Sequence, residues 1–227
     1  IIDSLCYWAS EYHIDGFRFD LMGVLDIETL NEARKALLKI NPDIIMYGEG
    51  WTGGESTLPE SERGMKINAP RTPGIGMFSD DIRDAVKGHV FYMDELGFVN
   101  GAADRGEELK QAVTCAKWAK SPMQSINYLS CHDNYTLWDR FIISNSHESE
   151  EMRIRMNKLA AAILFTAQGI PFFLHGEEFA RTKISEADGA PVENSYCSPL
   201  SVNAIDYDRA EQFSDLKAYY KGLIALR

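Results

Sequence analysis

The sequence predicts an α/β fold with a parallel sheet. Helical and strand-like segments alternate from the start: apolar residues at helical spacing over 2–12, a strand at 16–20, a helix over about 28–40 and a strand at 44–47. The run at 44–47 is continuously apolar, which is typical of a strand covered on both faces. With 227 residues, 45% of them apolar, the chain can bury such a core as one large domain or two small ones.

The later segments continue this alternation. Further strands are predicted at 77–79, 124–130 and 170–174, and further helices at 80–88, 107–119, 152–168 and 211–226. Residues 48–74 and 182–206 are predicted to be loops, because they lack periodicity and are rich in Gly, Pro, Ser and charge. Loops this long in a compact domain are usually functional or disordered.

The composition excludes several classes of partner and site. The net charge is −11, from 34 acidic and 23 basic residues, with no Lys/Arg-rich run, so we expect neither nucleic acid nor a membrane as partner. No apolar run reaches membrane-spanning length. The four cysteines are widely spaced, which argues against a zinc knuckle and predicts unpaired, buried or half-buried thiols: Cys6, Cys115, Cys131 and Cys197.

Both ends of the chain fall within helical patterns, and the first residue is Ile1. These features predict that the sequence is a piece of a longer protein. Its location, secreted or cytoplasmic, stays open, since no targeting segment is present in these residues.

The first candidate functional residues are Arg18 and Asp20. They alternate with Phe17 and Phe19, so on a pleated strand they project from one face and the aromatics from the other. A nearby guanidinium keeps a carboxylate ionised, which suits a nucleophile. The alternative is a structural ion pair at a strand end.

Three strand-like segments end in a carboxylate: Asp20, Glu49 and Asp133. In parallel α/β folds the carboxyl ends of the strands share one side, and that side carries the active site. Asp20 and Glu49 lie one strand–helix–strand unit apart, which predicts adjacent strands about 4.8 Å apart. Carboxyl groups about 5–5.5 Å apart suit a retaining glycosidase.

The neighbours of these carboxylates suggest their roles. Glu49 has no cation adjacent in sequence, which suits a proton donor, and Trp51 offers a flat face for a sugar ring. His132 can donate to sugar hydroxyls and Asp133 can accept from two of them. The alternatives are a turn residue at Glu49, a core residue at Trp51, and a cap or turn over His132-Asp133-Asn134.

The same residues carry a family resemblance. Residues 16–23, 47–51 and 128–140 resemble three of the four signature regions of the α-amylase superfamily. The Thr-Leu-Trp-Asp stretch at 136–139 and the Gly-Glu-Gly-Trp variant at 48–51 are most similar to type I pullulanases, which cleave α-1,6 branch links in glucans. Residues 75–88, 90–101 and 170–181 also resemble that family, so the likeness covers nearly the whole chain.

The resemblance implies a role for each candidate residue. It makes Asp20 the nucleophile, Glu49 the acid/base and Asp133 the stabiliser of the transition state. Four further residues are implied to contact the nucleophile or the sugar: Arg18, His132, Trp51 and Asn134. Residues 194–207 resemble the family's substrate-side loop, although Cys197 and Tyr207 stand where Asn and Trp are usual.

The implied fold is the C-terminal portion, about strands four to eight, of a (β/α)8 TIM-type barrel. The family's first signature region is absent here, so residues 1–227 would form one partial catalytic barrel domain. Five parallel strands cannot close a barrel, and exposed strand edges promote association. We therefore expect this chain to pack against the missing N-terminal barrel half or a second copy of itself.

The implied substrate is an α-glucan oligo- or polysaccharide, hydrolysed at α-1,6 links by a retaining mechanism that requires no cofactor. Alternatives are an α-1,4-acting amylase, isoamylase-type debranching, and a glucan-binding fragment without turnover. A metal-dependent hydrolase using His132, Asp133 and Glu49 is a weaker alternative, because only five histidines occur. No catalytic metal is expected, while a structural Ca²⁺ on loop oxygens stays open because spacing does not reveal it.

Overall fold

The computed structural model describes the whole chain, residues 1–227. Five strands follow one another in a single sheet: β1 (Gly16–Phe19), β2 (Ile45–Gly48), β3 (Ile75–Ser79), β4 (Ser125–Asn127) and β5 (Ile170–Pro171). The pairs β1–β2 and β2–β3 are parallel. The α/β class is therefore confirmed, and the sheet is compatible with part of a barrel.

Nine α-helices connect and flank these strands. They are α1 (Ile2–Glu11), α2 (Ile27–Leu37), α3 (Asp80–Lys87), α4 (Gly106–Thr114), α5 (Leu137–Ser144), α6 (Glu150–Thr166), α7 (Leu200–Asn203), α8 (Asp208–Gln212) and α9 (Ser214–Leu226). None of them combines the length and apolarity that crossing a bilayer needs.

The chain forms two compact units, of which the first comprises residues 1–79 and 115–126. Helix α1 packs on α2, and both contribute to a core shared with the strands, made by Ala9, Leu30, Ala33, Leu37, Met46, Ile75 and Met77. Helix α2 begins at a defined cap, because the Asp26 carboxylate accepts hydrogen bonds of 2.7 Å from the backbone N–H and the hydroxyl of Thr29.

The register of β1 and β2 determines where the residues that follow these two strands lie. Arg18 pairs with Tyr47 and Phe19 with Gly48, so the strands end side by side. Only glycine fits at position 48, since a Cβ there would lie 2.5 Å from the Phe19 carbonyl oxygen. The Glu49 N–H donates to that carbonyl at 3.1 Å. The prediction that Asp20 and Glu49 follow adjacent strands is therefore confirmed.

The second unit comprises residues 80–114 and 127–227. Its core is formed mainly by helices α3, α5, α6 and α9, through buried residues that include Val86, Trp138, Phe141, Leu164 and Tyr220. Helix α6 packs along α9. The Ser149 hydroxyl caps α6 by accepting from the Met152 N–H at 3.2 Å.

Several predicted boundaries were wrong. The helix predicted over 107–119 ends at Thr114, whose hydroxyl donates to the Lys110 carbonyl at 3.0 Å. The strand predicted at 170–174 is only two residues long, and Pro171 has no N–H to extend the ladder. The predicted last helix is divided at Phe213 into α8 and α9. Helix α5 was not predicted at all, α7 lies within the predicted loop 182–206, and β4 is shorter than the strand predicted at 124–130.

Two predictions about burial also differ from the structure. Residue Ile45, in the run predicted to be covered on both faces, is 51% exposed, whereas its neighbour Met46 is buried. The four cysteines are unpaired as predicted, but Cys197 is exposed rather than buried or half-buried.

Candidate active site

Arg18 brings the two predicted catalytic carboxylates of the first unit together. Its Nη1 donates to Asp20 Oδ1 and its Nη2 donates to Glu49 Oε1, both at 2.6 Å. Since both nitrogens belong to one planar guanidinium, the two carboxylate oxygens lie within roughly 8 Å of each other. The predicted Arg18–Asp20 contact is confirmed. Glu49 has no cation adjacent in sequence, but pairing of β1 with β2 places Arg18 opposite Tyr47, close to Glu49.

The second oxygen of Glu49 is held by the backbone. The Leu21 N–H donates to Glu49 Oε2 at 2.7 Å. Leu21 has a φ of 42°, a left-handed conformation that is uncommon for a residue with a side chain. Such conformations persist where the surrounding structure holds them, often at functional sites. Both oxygens of Glu49 are therefore fixed by groups from the end of β1.

The two carboxylates differ sharply in exposure. The Asp20 side chain is 72% exposed, the Arg18 side chain 26% and the Glu49 side chain 6%. A bulky ligand can therefore reach Asp20 directly. Glu49, in contrast, is enclosed and accepts a hydrogen bond at each of its two oxygens. The two carboxylates therefore differ in how easily a ligand can reach them.

The backbone of Trp51 contacts the segment that follows β1. Its carbonyl accepts from the Gly23 N–H at 3.1 Å, and a Cβ at Gly23 would lie 2.6 Å from the Trp51 carbonyl carbon. The indole is partly buried, and the Lys66 ammonium lies 5.7 Å from the centroid of its ring. One face of the ring is thus turned towards a cation, and stacking on a sugar stays a prediction.

The third predicted carboxylate belongs to the second unit. His132 Nε2 lies 3.5 Å from Asp133 Oδ2, and both side chains are partly exposed. Asn134 adopts a φ of 57°, and its N–H donates to Asn194 Oδ1 at 2.7 Å. Asn194 therefore anchors the turn that carries the predicted residues. Sequence reasoning identified its loop but not this contact.

A metal-ligand arrangement also occurs at this turn. Cys131, His132 and Asp133 offer ligand atoms that all lie within 4.8 Å of one another. Burial raises the pKa of the Cys131 thiol, which disfavours the thiolate that a metal binds. One carboxylate beside a thiol and an imidazole does not fit Ca²⁺, which takes six to eight oxygen ligands.

Comparison with known proteins shows what this chain is similar to. No protein-family model matches it. A pullulanase from Bacillus subtilis (strain 168) is 41% identical over 234 residues, covering 100% of this chain and 32% of that protein. A pullulanase from Paenibacillus barengoltzii, solved in complex with maltohexaose and α-cyclodextrin, superposes with a TM-score of 0.91 at 47% identity. That match covers 99% of this chain and 35% of the solved one.

A second solved structure gives the same result. A pullulanase from Anoxybacillus sp. LM18-11, in complex with maltotetraose, superposes with a TM-score of 0.93 at 45% identity. The match covers 99% of this chain and 32% of that one, so the chain spans about a third of the length of these relatives. Over its whole length the chain is homologous to pullulanases, in agreement with its resemblance to the α-amylase superfamily.

Proposed function

We propose that the protein to which this chain belongs hydrolyses α-1,6-glucosidic links in pullulan and branched α-glucans by a retaining, double-displacement mechanism. The bridging of Asp20 and Glu49 by Arg18, at neighbouring strand ends, is the observation that carries this proposal. Identity of 41% to a pullulanase supports the reaction, and the oligosaccharides bound in the related structures support α-glucans as the substrate class.

In the first step, an Asp20 oxygen attacks the anomeric carbon and forms a glycosyl ester. The bond to the leaving oxygen breaks, and Glu49 supplies the proton that this oxygen needs. In the second step, Glu49 takes a proton from water, whose oxygen attacks the anomeric carbon and releases Asp20. The exposure of Asp20 and the enclosure of Glu49 support this division of roles.

The remaining predicted residues bind the sugar in this proposal. Asp133 accepts hydrogen bonds from two sugar hydroxyls and favours the distorted ring of the transition state, while His132 and Asn134 contact neighbouring hydroxyls. Trp51 stacks on a sugar ring. The reaction as proposed needs no cofactor and no metal.

The isolated chain of 227 residues is proposed to be inactive or nearly so. It spans about a third of the related pullulanases and lacks the first signature region, which would supply one wall of the glucose pocket. Its partner is then the missing N-terminal barrel half, or a second copy of the chain. A stable lone monomer of these residues in solution would contradict the incomplete-barrel interpretation.

The intact parent protein tests the function. Pullulan should yield maltotriose, because cleavage at α-1,6 links leaves its α-1,4 links intact. Products that retain the α-1,6 link would instead indicate an α-1,4-acting amylase. Asp20→Asn and Glu49→Gln should each abolish turnover, while the control Asp43→Asn, at an exposed residue before β2, should not. Near-normal turnover by Glu49→Gln would refute its role as acid/base.

Asp133→Asn separates binding from catalysis. A residue that acts mainly in the transition state should lose kcat far more than substrate affinity when it is changed. We therefore expect a large fall in kcat on pullulan with a small change in KM. The opposite pattern, a raised KM with kcat retained, would make Asp133 a binding residue only.

A further inference from the structure

A group of buried polar side chains adjoins residues 130–133 and takes no part in the proposed chemistry. This group, here named the Glu177 cluster, consists of Lys87, Ser130, Asn157, Glu177 and Tyr220, all of them buried. The five residues come from separate parts of the second unit, at α3, after β4, α6, after β5 and α9. Ser130 directly precedes Cys131-His132-Asp133.

Hydrogen bonds join the cluster around the Glu177 carboxylate. The Ser130 hydroxyl donates to Glu177 Oε2. The Tyr220 hydroxyl lies 3.2 Å from Glu177 Oε1 and 2.8 Å from Asn157 Oδ1, so these two acceptors share its proton. Glu177 is thus attached on one side to the segment that carries Asp133 and on the other to α9.

It costs free energy to keep Glu177 and Lys87 charged while both are buried. Burial raises the pKa of Glu177 to about 7 and lowers the pKa of Lys87 to about 8, although each charge favours the other. Glu178 adds to the rise at Glu177, and Arg83 adds to the fall at Lys87. An apolar pair of similar volume would often be as stable or more so, which leaves conformational specificity as a reason for the charges.

We propose that Glu177 is a positioning residue, which holds the Ser130 hydroxyl, with Lys87 as its counter-charge, and so fixes where the backbone presents His132 and Asp133. This inference rests on the proposed role of Asp133 in hydrolysis. Glu177 touches neither substrate nor reacting atoms in this account. Its effect passes through one side-chain contact, from Glu177 to Ser130, and then along three residues of backbone.

Two matched substitutions in the intact parent protein test the proposal. Ser130→Ala removes the hydrogen bond that leads to Asp133, and Tyr220→Phe removes the other hydrogen bond to the same carboxylate. Both leave Glu177 with one donor fewer and should lower the melting temperature. We expect Ser130→Ala to lower kcat about tenfold with KM within about twofold, and Tyr220→Phe to change neither by more than about twofold.

Thiol labelling gives a readout that does not depend on activity. Cys131 follows Ser130 and is half-buried, and Cys115, which is also half-buried, belongs to the first unit. Maleimide labelling at each cysteine can be followed by peptide mass spectrometry. Ser130→Ala should speed labelling of Cys131 but not of Cys115, and Tyr220→Phe should leave both unchanged. Ser130→Ala and Tyr220→Phe each remove a hydrogen bond that lowers the pKa of Glu177, so a difference between them in the labelling of Cys131 reports accessibility rather than charge.

The pH dependence of kcat adds a third readout. In the unaltered protein, Glu177 should become protonated as the pH falls through about 7, which should weaken its hydrogen bond with Ser130. We therefore expect a limb in the pH profile of kcat, where kcat falls as the pH falls through this range. Glu177→Gln is neutral throughout and should lack that limb. The groups whose charges act on Glu177 are Lys87 and Glu178, and loss of the Glu177 charge should in turn lower the pKa of Lys87. The profile of Glu177→Gln is therefore compared with that of the double variant Glu177→Gln/Lys87→Met, in which neither group titrates.

The outcomes separate this proposal from the proposed function. An unaltered parent protein without α-1,6 hydrolysis refutes the function, and the labelling rates still decide whether Ser130 is held by Glu177. If the parent is active but Ser130→Ala and Tyr220→Phe behave alike in kcat and in Cys131 labelling, the cluster is only structural and the positioning role is refuted.

Discussion

Arg18 makes two hydrogen bonds of equal length that should differ in free energy. Both Nη atoms lie 2.6 Å from a carboxylate oxygen, but the Glu49 side chain is 6% exposed and the Asp20 side chain 72%. Double-mutant cycles with Arg18→Met, paired with Glu49→Gln and with Asp20→Asn, measure the two couplings separately.

The structure sets the expected magnitudes. The Arg18–Asp20 pair is largely in water, where such pairs contribute about 0.2–1 kcal/mol. The Arg18–Glu49 pair is enclosed, and hydrogen bonds to charged groups in such surroundings contribute about 1.5–3 kcal/mol. Because Arg18 itself is 26% exposed, we expect a value near the lower end for Glu49. The coupling to Glu49 should exceed the coupling to Asp20 by about 1 kcal/mol.

Hydrogen exchange of the intact parent protein, followed by peptide mass spectrometry, can report on the first unit alone, because peptides from residues 1–79 belong to that unit. The free energies of opening in the four proteins of each cycle then give the two couplings. Couplings that agree within about 0.5 kcal/mol, or a larger coupling to Asp20, would refute the argument from burial.

Three further predictions follow from single sites. Gly23→Ala should destabilise the first unit by about 1–3 kcal/mol in urea unfolding, because its Cβ would meet the Trp51 carbonyl at 2.6 Å. The control Gly54→Ala, whose Cβ meets nothing within 4 Å, should not. Asp26→Ala should cost about 1 kcal/mol by removing the cap of α2, and most of that should return in Asp26→Asn. Because folding raises the pKa of Glu177 to about 7, the folded state binds more protons than the unfolded one between about pH 5 and 7. The free energy of unfolding should therefore fall as the pH rises from about 5 to 7, and Glu177→Gln should reduce this fall.

The parts of the fold that could be predicted are those specified by local pattern. Helix α2 was readable from its apolar spacing and from Asn41-Pro42 after it, and its observed bounds differ from the prediction by a few residues. Helix α5 was also signalled, since Thr136 caps it by accepting from the Asp139 N–H at 3.1 Å. Its residues were interpreted only as part of a family motif, so the helix was overlooked.

In the candidate site, too, only the contacts that depend on local pattern could be predicted from the sequence. The Arg18–Asp20 contact follows from the two-residue period of a strand and needs no partner strand. The Arg18–Glu49 contact depends on the register between β1 and β2, and a slip of one residue would have sent Arg18 to the other face. The left-handed Leu21, whose N–H holds Glu49, has no local signal, because leucine rarely adopts that conformation.

The Glu177 cluster was beyond sequence reasoning for a further reason. Its members are distant along the chain, and Ser130 and Glu177 are 47 residues apart. A glutamate in a Gly-Glu-Glu stretch and a tyrosine in a C-terminal helix carry no sign of burial. The packing of α9 on α6 and on the turn at Glu177–Phe179 brings Tyr220, Asn157 and the Glu177 carboxylate together.

Glu49 is the proposed proton donor, and a substrate with a different leaving group can test this role. Both Glu49 oxygens accept hydrogen bonds in the structure, whereas the first proposed step needs Glu49 to donate a proton to the leaving oxygen. A glycosyl fluoride needs little or no proton donation, because fluoride leaves readily as an anion. With a maltotriosyl fluoride, Glu49→Gln should therefore still form the ester on Asp20, and mass spectrometry should find it accumulated, since the base for the second step is missing. Asp20→Asn should form none. Equal inactivity of the two variants towards the fluoride would mean that Glu49 serves mainly to hold Arg18 and Leu21 in place, and the proton would have to come from another group.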